Sequence, residues 1–322
     1  MPFANPDVSD IIATTIQSRT GKIADNVSAN NALLTRMRQR GNVKPFSGGN
    51  VILQELSFAE NGNAGWYSGY DTLPINAQDV ISAAQFDIKQ AAVPVTMSGL
   101  EMLQNAGKEQ IIDLMEARIK VAESTMANLV SAGLYSDGSG AGGKQLTGLL
   151  AAVSKTPTTG VYGGIDRATY TFWQNKATNP GTAISATTIQ ANMNEMWASL
   201  VRGADKPDLI PMDNTFWGFY MASLQNIQRF SDSEMARLGF TTVKYMSADV
   251  ILDGGIGGDI AATTMYFLNT NYLHFRPHRD RNFVALDPNK RYSVNQDAVV
   301  QILAFAGNLT CSGAQFQGVL FD

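Results

Sequence analysis

Few residues in this chain are equipped for covalent or metal chemistry, and those few stand at the wrong spacings. His274 and His278 are the only histidines and Cys311 the only cysteine in 322 residues. Four-residue spacing puts two histidines on one face of a helix, but Pro277 and β-prone neighbours make this segment extended. There the two rings share a side yet stand far apart, and no acidic pair or thiol completes a metal set. Gly138-Ser-Gly-Ala-Gly-Gly-Lys-Gln145 approaches the phosphate-binding pattern G-x-x-x-x-G-K-[ST]. Gln145 lacks the hydroxyl that would hold magnesium, and the loop follows a long helical pattern where a nucleotide loop follows a core strand. Asp249, Asp253 and Asp259 flank Gly-Gly-Ile-Gly-Gly without the spacing of a calcium loop, so a turn between strands is the better account. No Ser-His-Asp or Cys-His arrangement is in view. These residues predict no catalytic, cofactor or metal site, and the chain reads as a protein that is not an enzyme.

Composition points the same way. Apolar residues make up 44% and charged residues only 16%, below the roughly 25% usual for soluble domains. A surface so poor in charge is suited to being covered by further copies of itself. The net charge of −4 argues against tight nucleic-acid binding. Residues 1–45 nonetheless carry Arg19, Lys22, Arg36, Arg38, Arg40 and Lys44 against Asp7, Asp10 and Asp25. Two accounts of that excess stand: a solvated helix face, or a basic arm lying on the acidic body of an adjacent subunit. A lone thiol in an apolar strand context is a small buried hydrophobe, and the chain reads as one kept in a reducing compartment. No run approaches the ~18 apolar residues of a membrane span, and no signal-peptide layout opens the chain. Asn26-Val-Ser and Asn308-Leu-Thr match glycosylation acceptors by chance.

The elements divide into an ordered series. Residues 9–40 predict a helical arm broken at Gly21, with Leu33, Leu34 and Met37 as its second apolar stripe, too narrow for a core of its own. Val51–Phe58 and Ser82–Val95 predict strands around Asn61–Tyr70, a stretch rich in turn formers and aromatic rings. A long two-stranded excursion tipped by Trp66, Tyr67 and Tyr70 is poorly stable alone and calls for burial against another chain. Ser98 and Glu101 have the spacing of a capping box. Ile111, Ile112, Met115, Ile119, Ala122, Met126 and Leu129 then predict a long helix over Lys108–Ala132. Beyond a Gly-rich link at 137–143, helices are expected over Thr188–Val201 and Asn214–Ile227. Strands are expected at Asp208–Met212, Thr241–Tyr245, Asp249–Leu252, Met265–Leu268, Ala298–Phe305 and Leu309–Phe321.

This order, together with Gly163-Gly-Ile-Asp-Arg167, Trp173-Gln-Asn175, Leu268-Asn-Thr-Asn-Tyr-Leu273, the Tyr266–Phe283 stretch and Gly307-Asn-Leu-Thr310, resembles the major capsid proteins of tailed phages. The resemblance covers nearly the whole chain. It implies the Hong Kong 97-type capsid fold, an α+β architecture also found in encapsulins. Its parts would be an N-terminal arm at 1–45, an extended β-hairpin loop at 46–95 and a peripheral domain with a spine helix at 96–145. An axial domain at 146–295 and closing strands at 296–322 returning to the peripheral domain would complete it. It further implies self-assembly as hexamers and pentamers into an icosahedral virion shell, built in a bacterial cytoplasm, that encloses double-stranded DNA without reading its sequence. Portal, scaffold and decoration proteins are the partners such a shell would have, and a membrane is not. An encapsulin-like compartment around cargo enzyme is the alternative. Trp66, Tyr67, Tyr70, Arg36, Arg38, Arg40, Arg276, Arg279 and Arg281 are the expected contacts between subunits. Some members weld their shells through a loop lysine, and Phe46–Ile88 contains none, so a non-covalent shell is expected. Family-like sequence begins almost at once, which suggests a separate scaffold or none.

Overall fold

Asn31 accepts the Leu34 N–H through its side chain and so starts the first described helix, α1 (Ala32–Gln39). The structure, a computed structural model, describes residues 31–100, 108–224, 242–253, 259–286 and 297–322. Residues 9–30, Glu101 and the 254–258 glycine run, on which several expectations bear, lie outside that set. After α1 the chain makes a hairpin of β1 (Val51–Ser57) and β2 (Ile81–Asp87), paired antiparallel from Val51 opposite Asp87 to Ser57 opposite Ile81. β3 (Lys89–Ser98) follows at once. The expected single strand over 82–95 is therefore two, because at Ile88 the backbone exchanges one partner strand for another.

The helix α2 (Lys108–Tyr135) runs about 42 Å at 1.5 Å per residue and packs on β3. A short ladder of β4 (Val161–Tyr162) and β5 (Ile165–Asp166) precedes β6 (Lys176–Thr178). Next come α3 (Ile189–Leu200), β7 (Leu209–Met212), α4 (Asn214–Ser223), β8 (Thr242–Tyr245) and β9 (Ala248–Leu252). The chain closes with β10 (Thr264–Phe267), β11 (Leu273–Leu286), β12 (Ala298–Cys311) and β13 (Gly318–Phe321).

Two larger sheets organise these elements. β11, β12 and β3 form an antiparallel sheet that carries α2. A six-stranded mixed sheet in the order β6-β13-β10-β7-β9-β8 packs against α3 and has its own core around Trp197, Phe216, Tyr220 and Phe267. These sheets cut across the segments read from sequence. β3 and β11, assigned to the loop and to the axial part, join β12 in the three-stranded sheet. The closing strands split, with β12 in that sheet and β13 in the six-stranded one. A short 3-10 turn at Ala314–Phe316, where Phe316 stacks on Tyr272 at 4.5 Å, makes the crossing between them.

β12 was also expected to break near Gly307, yet it runs through. A Cβ on that residue would lie 2.7 Å from the Arg276 carbonyl, so only glycine lets the two strands approach there.

Candidate assembly interface

The β1–β2 hairpin is fixed at its base and free at its tip. Ile52, Leu56, Ala84 and Phe86 are buried against the body, and Phe86 meets the Tyr162 ring edge-on at 5.2 Å. The Gln85 N–H donates to the Gly163 carbonyl at 2.9 Å, and Asn308 Nδ2 donates to the Asp87 carbonyl at 2.9 Å. Gly163 takes a φ of +59°, and its missing Cβ would stand 2.9 Å from the Phe86 ring, so this anchor requires glycine twice over. Behind it Trp173 donates its indole N–H to the Tyr162 carbonyl at 2.8 Å. The Arg167 guanidinium donates to the Ala151 and Ala152 carbonyls and lies 5.1 Å over the Tyr162 ring. The Gly163–Arg167 and Trp173–Asn175 motifs are thus a footing for the hairpin.

Residues 58–80 project beyond that footing. The polar groups of this loop bond to one another: Asn63 Nδ2 to the Asn76 carbonyl, and the Ser68 N–H to Asp71. Phe58 packs on Phe172 at 5.4 Å where the loop begins, and the apolar groups nearer its tip face out. Trp66 and Tyr70 are fully exposed, Ile75 is 91% exposed, and Tyr67 and Leu73 are more than half exposed. Five apolar side chains of this size, not covered by any described residue, make a candidate interaction surface.

The basic residues divide. Arg36 is half-buried, ion-paired with Asp249 and 3.6 Å from Asp208, and donates to the Asp208 carbonyl. Arg40 pairs with Asp208 at 3.3 Å. The acidic surface that Arg36 and Arg40 meet within one subunit is the chain's own body. The reason is packing: Leu33, Leu34 and Met37 are buried on the same chain, and their burial aims Arg36 at β7 and β9. Arg38, Arg279 and Arg281 are exposed, the last donating to Gln90 at 3.4 Å. Arg276 is half-buried beside His274.

The residues considered for chemistry are placed in structural roles. His274 is buried in β11; burial first, then the charges of Lys44 and Arg276, holds its pKa down to about 4. His278 packs edge-on against Phe46 at 5.0 Å. Cys311 is fully buried, and burial pushes its thiol up to about 12, far from a reactive thiolate. Asp249 holds Arg36, while Asp253 accepts the Tyr135 hydroxyl; burial raises both of those last two groups. The Gly138–Gln145 stretch is a turn after α2, with Lys144 exposed at its end. Among the described residues no group of three or more His, Cys, Asp or Glu could hold a metal ion. In the same residues no helix is long and apolar enough to cross a membrane.

Sequence reasoning found the exposed rings through their turn-rich setting. It missed Asp208 and Asp249 as the receptors of the arm, since nothing local in the sequence points from one to the other.

No protein-family model matches the chain, and no curated protein matches it in sequence. Solved structures do. In the cyanophage A-1(L) capsid asymmetric unit, a chain 16% identical superposes with a TM-score of 0.62 over 87% of this chain and 90% of that one. The capsid of an empty GTA particle gives 0.53 at 14% identity over 88% of both chains. The satellite phage P4 procapsid, which includes the size determination (Sid) protein, gives 0.53 at 11% identity over 94% of this chain and 90% of that one. At such identities the likeness is one of fold, and it spans nearly the whole chain. The protein therefore has the α+β fold of tailed-phage capsid proteins. Within that class it is the Hong Kong 97-type capsid fold that the order of arm, hairpin, long helix and mixed sheet had suggested.

Proposed function

We propose that this chain is the major capsid protein of a tailed-phage head, assembling with itself as hexamers and pentamers into a closed shell around double-stranded DNA. The observation that carries the reading is the hairpin: rigidly footed, and tipped with apolar rings that no described residue of its own chain covers. Three such rings bury about 150–250 Å² each when covered. At about 25 cal/mol per Å² that amounts to roughly 11–19 kcal/mol of gross stabilisation. Association itself costs about 4–15 kcal/mol, so one contact between two copies leaves only a modest surplus. Several such contacts closing around each subunit add up, and that favours a shell over a free dimer. The weakly acidic chain suits a container that must not grip its contents. The virion is its place, and portal, scaffold and decoration proteins are the partners it would meet there.

Electron microscopy of the purified protein tests this. Closed, uniform particles are expected, and particles from infected or producing cells should hold nuclease-protected DNA. A Trp66→Ser, Tyr70→Ser double variant should keep its fold, since both side chains are fully exposed, and should fail to close shells. A protein that stays monomeric across assembly conditions overturns the proposal, and closed particles holding protein cargo and no DNA would redirect it to a cellular compartment.

A further inference from the structure

Asn61 and Gly62 form the one Asn-Gly step in the sequence, and both residues are exposed in the loop of the β1–β2 hairpin. The pair sets a side-chain amide one residue ahead of a backbone nitrogen that no Cβ of its own residue shields. Closure of the Gly62 nitrogen onto Asn61 Cγ gives a succinimide ring, and it starts with both reacting groups already held in one chain.

The local fold favours that attack. The Asn63 N–H donates to Asn61 Oδ1 at 3.0 Å, so a donor stands where negative charge develops as the nitrogen adds to Cγ. Asn61 Nδ2, the group that must leave, is not hydrogen-bonded to any described residue. The turn is braced, with the Ala64 N–H donating to the Asn61 carbonyl at 3.0 Å and Asn63 Nδ2 donating to the Asn76 carbonyl. Asp137–Gly138 offers the contrast. There the Ser139 N–H and hydroxyl donate to the Asp137 carboxylate at 2.8 and 2.7 Å and hold it below the usual carboxylate range. An ionised carboxylate repels a nucleophile, and that step is the slower one.

We propose that Asn61 is a self-modifying site, converting to aspartate and isoaspartate and so limiting how long an unassembled subunit stays fit to join a shell. The Gly62 nitrogen bonds to Cγ, the bond from Cγ to Nδ2 breaks, and ammonia leaves with the proton that Gly62 gives up. Water then opens the ring, and the new carboxylic acid passes its proton to the ammonia. Opening at Cγ leaves aspartate in an unaltered backbone. Opening at the main-chain carbonyl routes the backbone through the side chain, lengthens it by a methylene and removes the carbonyl that holds Ala64. Either product adds a carboxylate to residues 58–80, which already hold Glu60, Asp71 and Asp79 and no lysine, arginine or histidine. The consequence for assembly rests on the shell reading; the chemistry does not.

Unassembled subunits aged in heavy-oxygen water at mildly alkaline pH, beside a free peptide of residues 58–80, provide the test. Mass spectrometry should find heavy oxygen at residue 61, and the aged subunits should assemble several-fold more slowly than fresh ones. Asn61→Asp should assemble slowly from the outset. Gly62→Ala, whose Cβ meets only the movable end of Gln78 at 3.3 Å, should keep the turn while crowding the attacking nitrogen, and should slow uptake about tenfold. No heavy oxygen at residue 61 once the peptide has converted, or uptake in Gly62→Ala at the parent rate, overturns the site. Conversion that leaves assembly as fast as in fresh subunits overturns its role in assembly. Subunits that form no shells, fresh or aged, remove the shell reading and that role together, while the result at residue 61 still decides the chemistry.

Discussion

Replacing Arg36 by alanine separates the two roles this residue has been given, as a link between subunits and as a latch within one. Its side chain is 17% exposed, and its partners Asp208 and Asp249 are 11% and 3% exposed. Removing one partner of a pair this buried costs about 3–5 kcal/mol, because the charge left behind loses its ion pair where little water reaches it. Asp208 keeps other partners. Arg40 stays 3.3 Å away, and the Thr270 N–H and hydroxyl donate to its carboxylate at 2.8 and 2.6 Å. With Asp208 so held, the loss sits at the low end, about 3 kcal/mol. Urea unfolding of dissociated subunits should show the midpoint fall with an unchanged slope, since α1 keeps Leu33, Leu34 and Met37 buried. A cycle with Asp249→Asn should give a coupling of at least about 1.5 kcal/mol. An Arg36→Ala subunit within about 1 kcal/mol of the parent that nevertheless fails to assemble would refute the argument, and would return Arg36 to the contact between chains.

Three further outcomes are expected. His274 has a folded pKa near 4 against an ordinary 6.5, so the unfolded chain takes up the proton first as pH falls. Its contribution is complete above about pH 6.5 and is lost between there and pH 4; after allowance for screening of exposed Lys44 this is about 2 kcal/mol. Unfolding of the parent and of His274→Asn at pH 7.5 and 4.5 should show that extra slope only in the parent. Gly163→Ala should destabilise by about 2–4 kcal/mol in the same assay, from its left-handed φ and from overlap with Phe86; a smaller loss would mean the hairpin footing yields. Mature particles on a denaturing gel should run as one band of single chains, because Phe46–Ile88 holds no lysine and Lys89 is occupied at the hairpin base. A ladder of linked subunits would contradict it.

Local spacing carried much of this fold. The three- and four-residue steps through Ile119, Ala122 and Met126 marked the long helix, and short β-prone runs marked β1, β7, β9 and β10 within a residue or two of their bounds. The exposed tip was legible for a similar reason: Asn61–Tyr70 mixes turn formers with rings and has no period that would bury them. Periodicity, charge sign and turn chemistry are properties of neighbouring residues, and a chain displays them before it folds. Pairings across the fold are not. Arg36 finds its acids 172 and 213 residues away, and Asn308 reaches Asp87 over 221. The same distance in sequence hid the division of the closing strands between two sheets. Those juxtapositions arise only when the two sheets and α2 close on a shared core, because packing, unlike propensity, depends on residues that no stretch of sequence holds together.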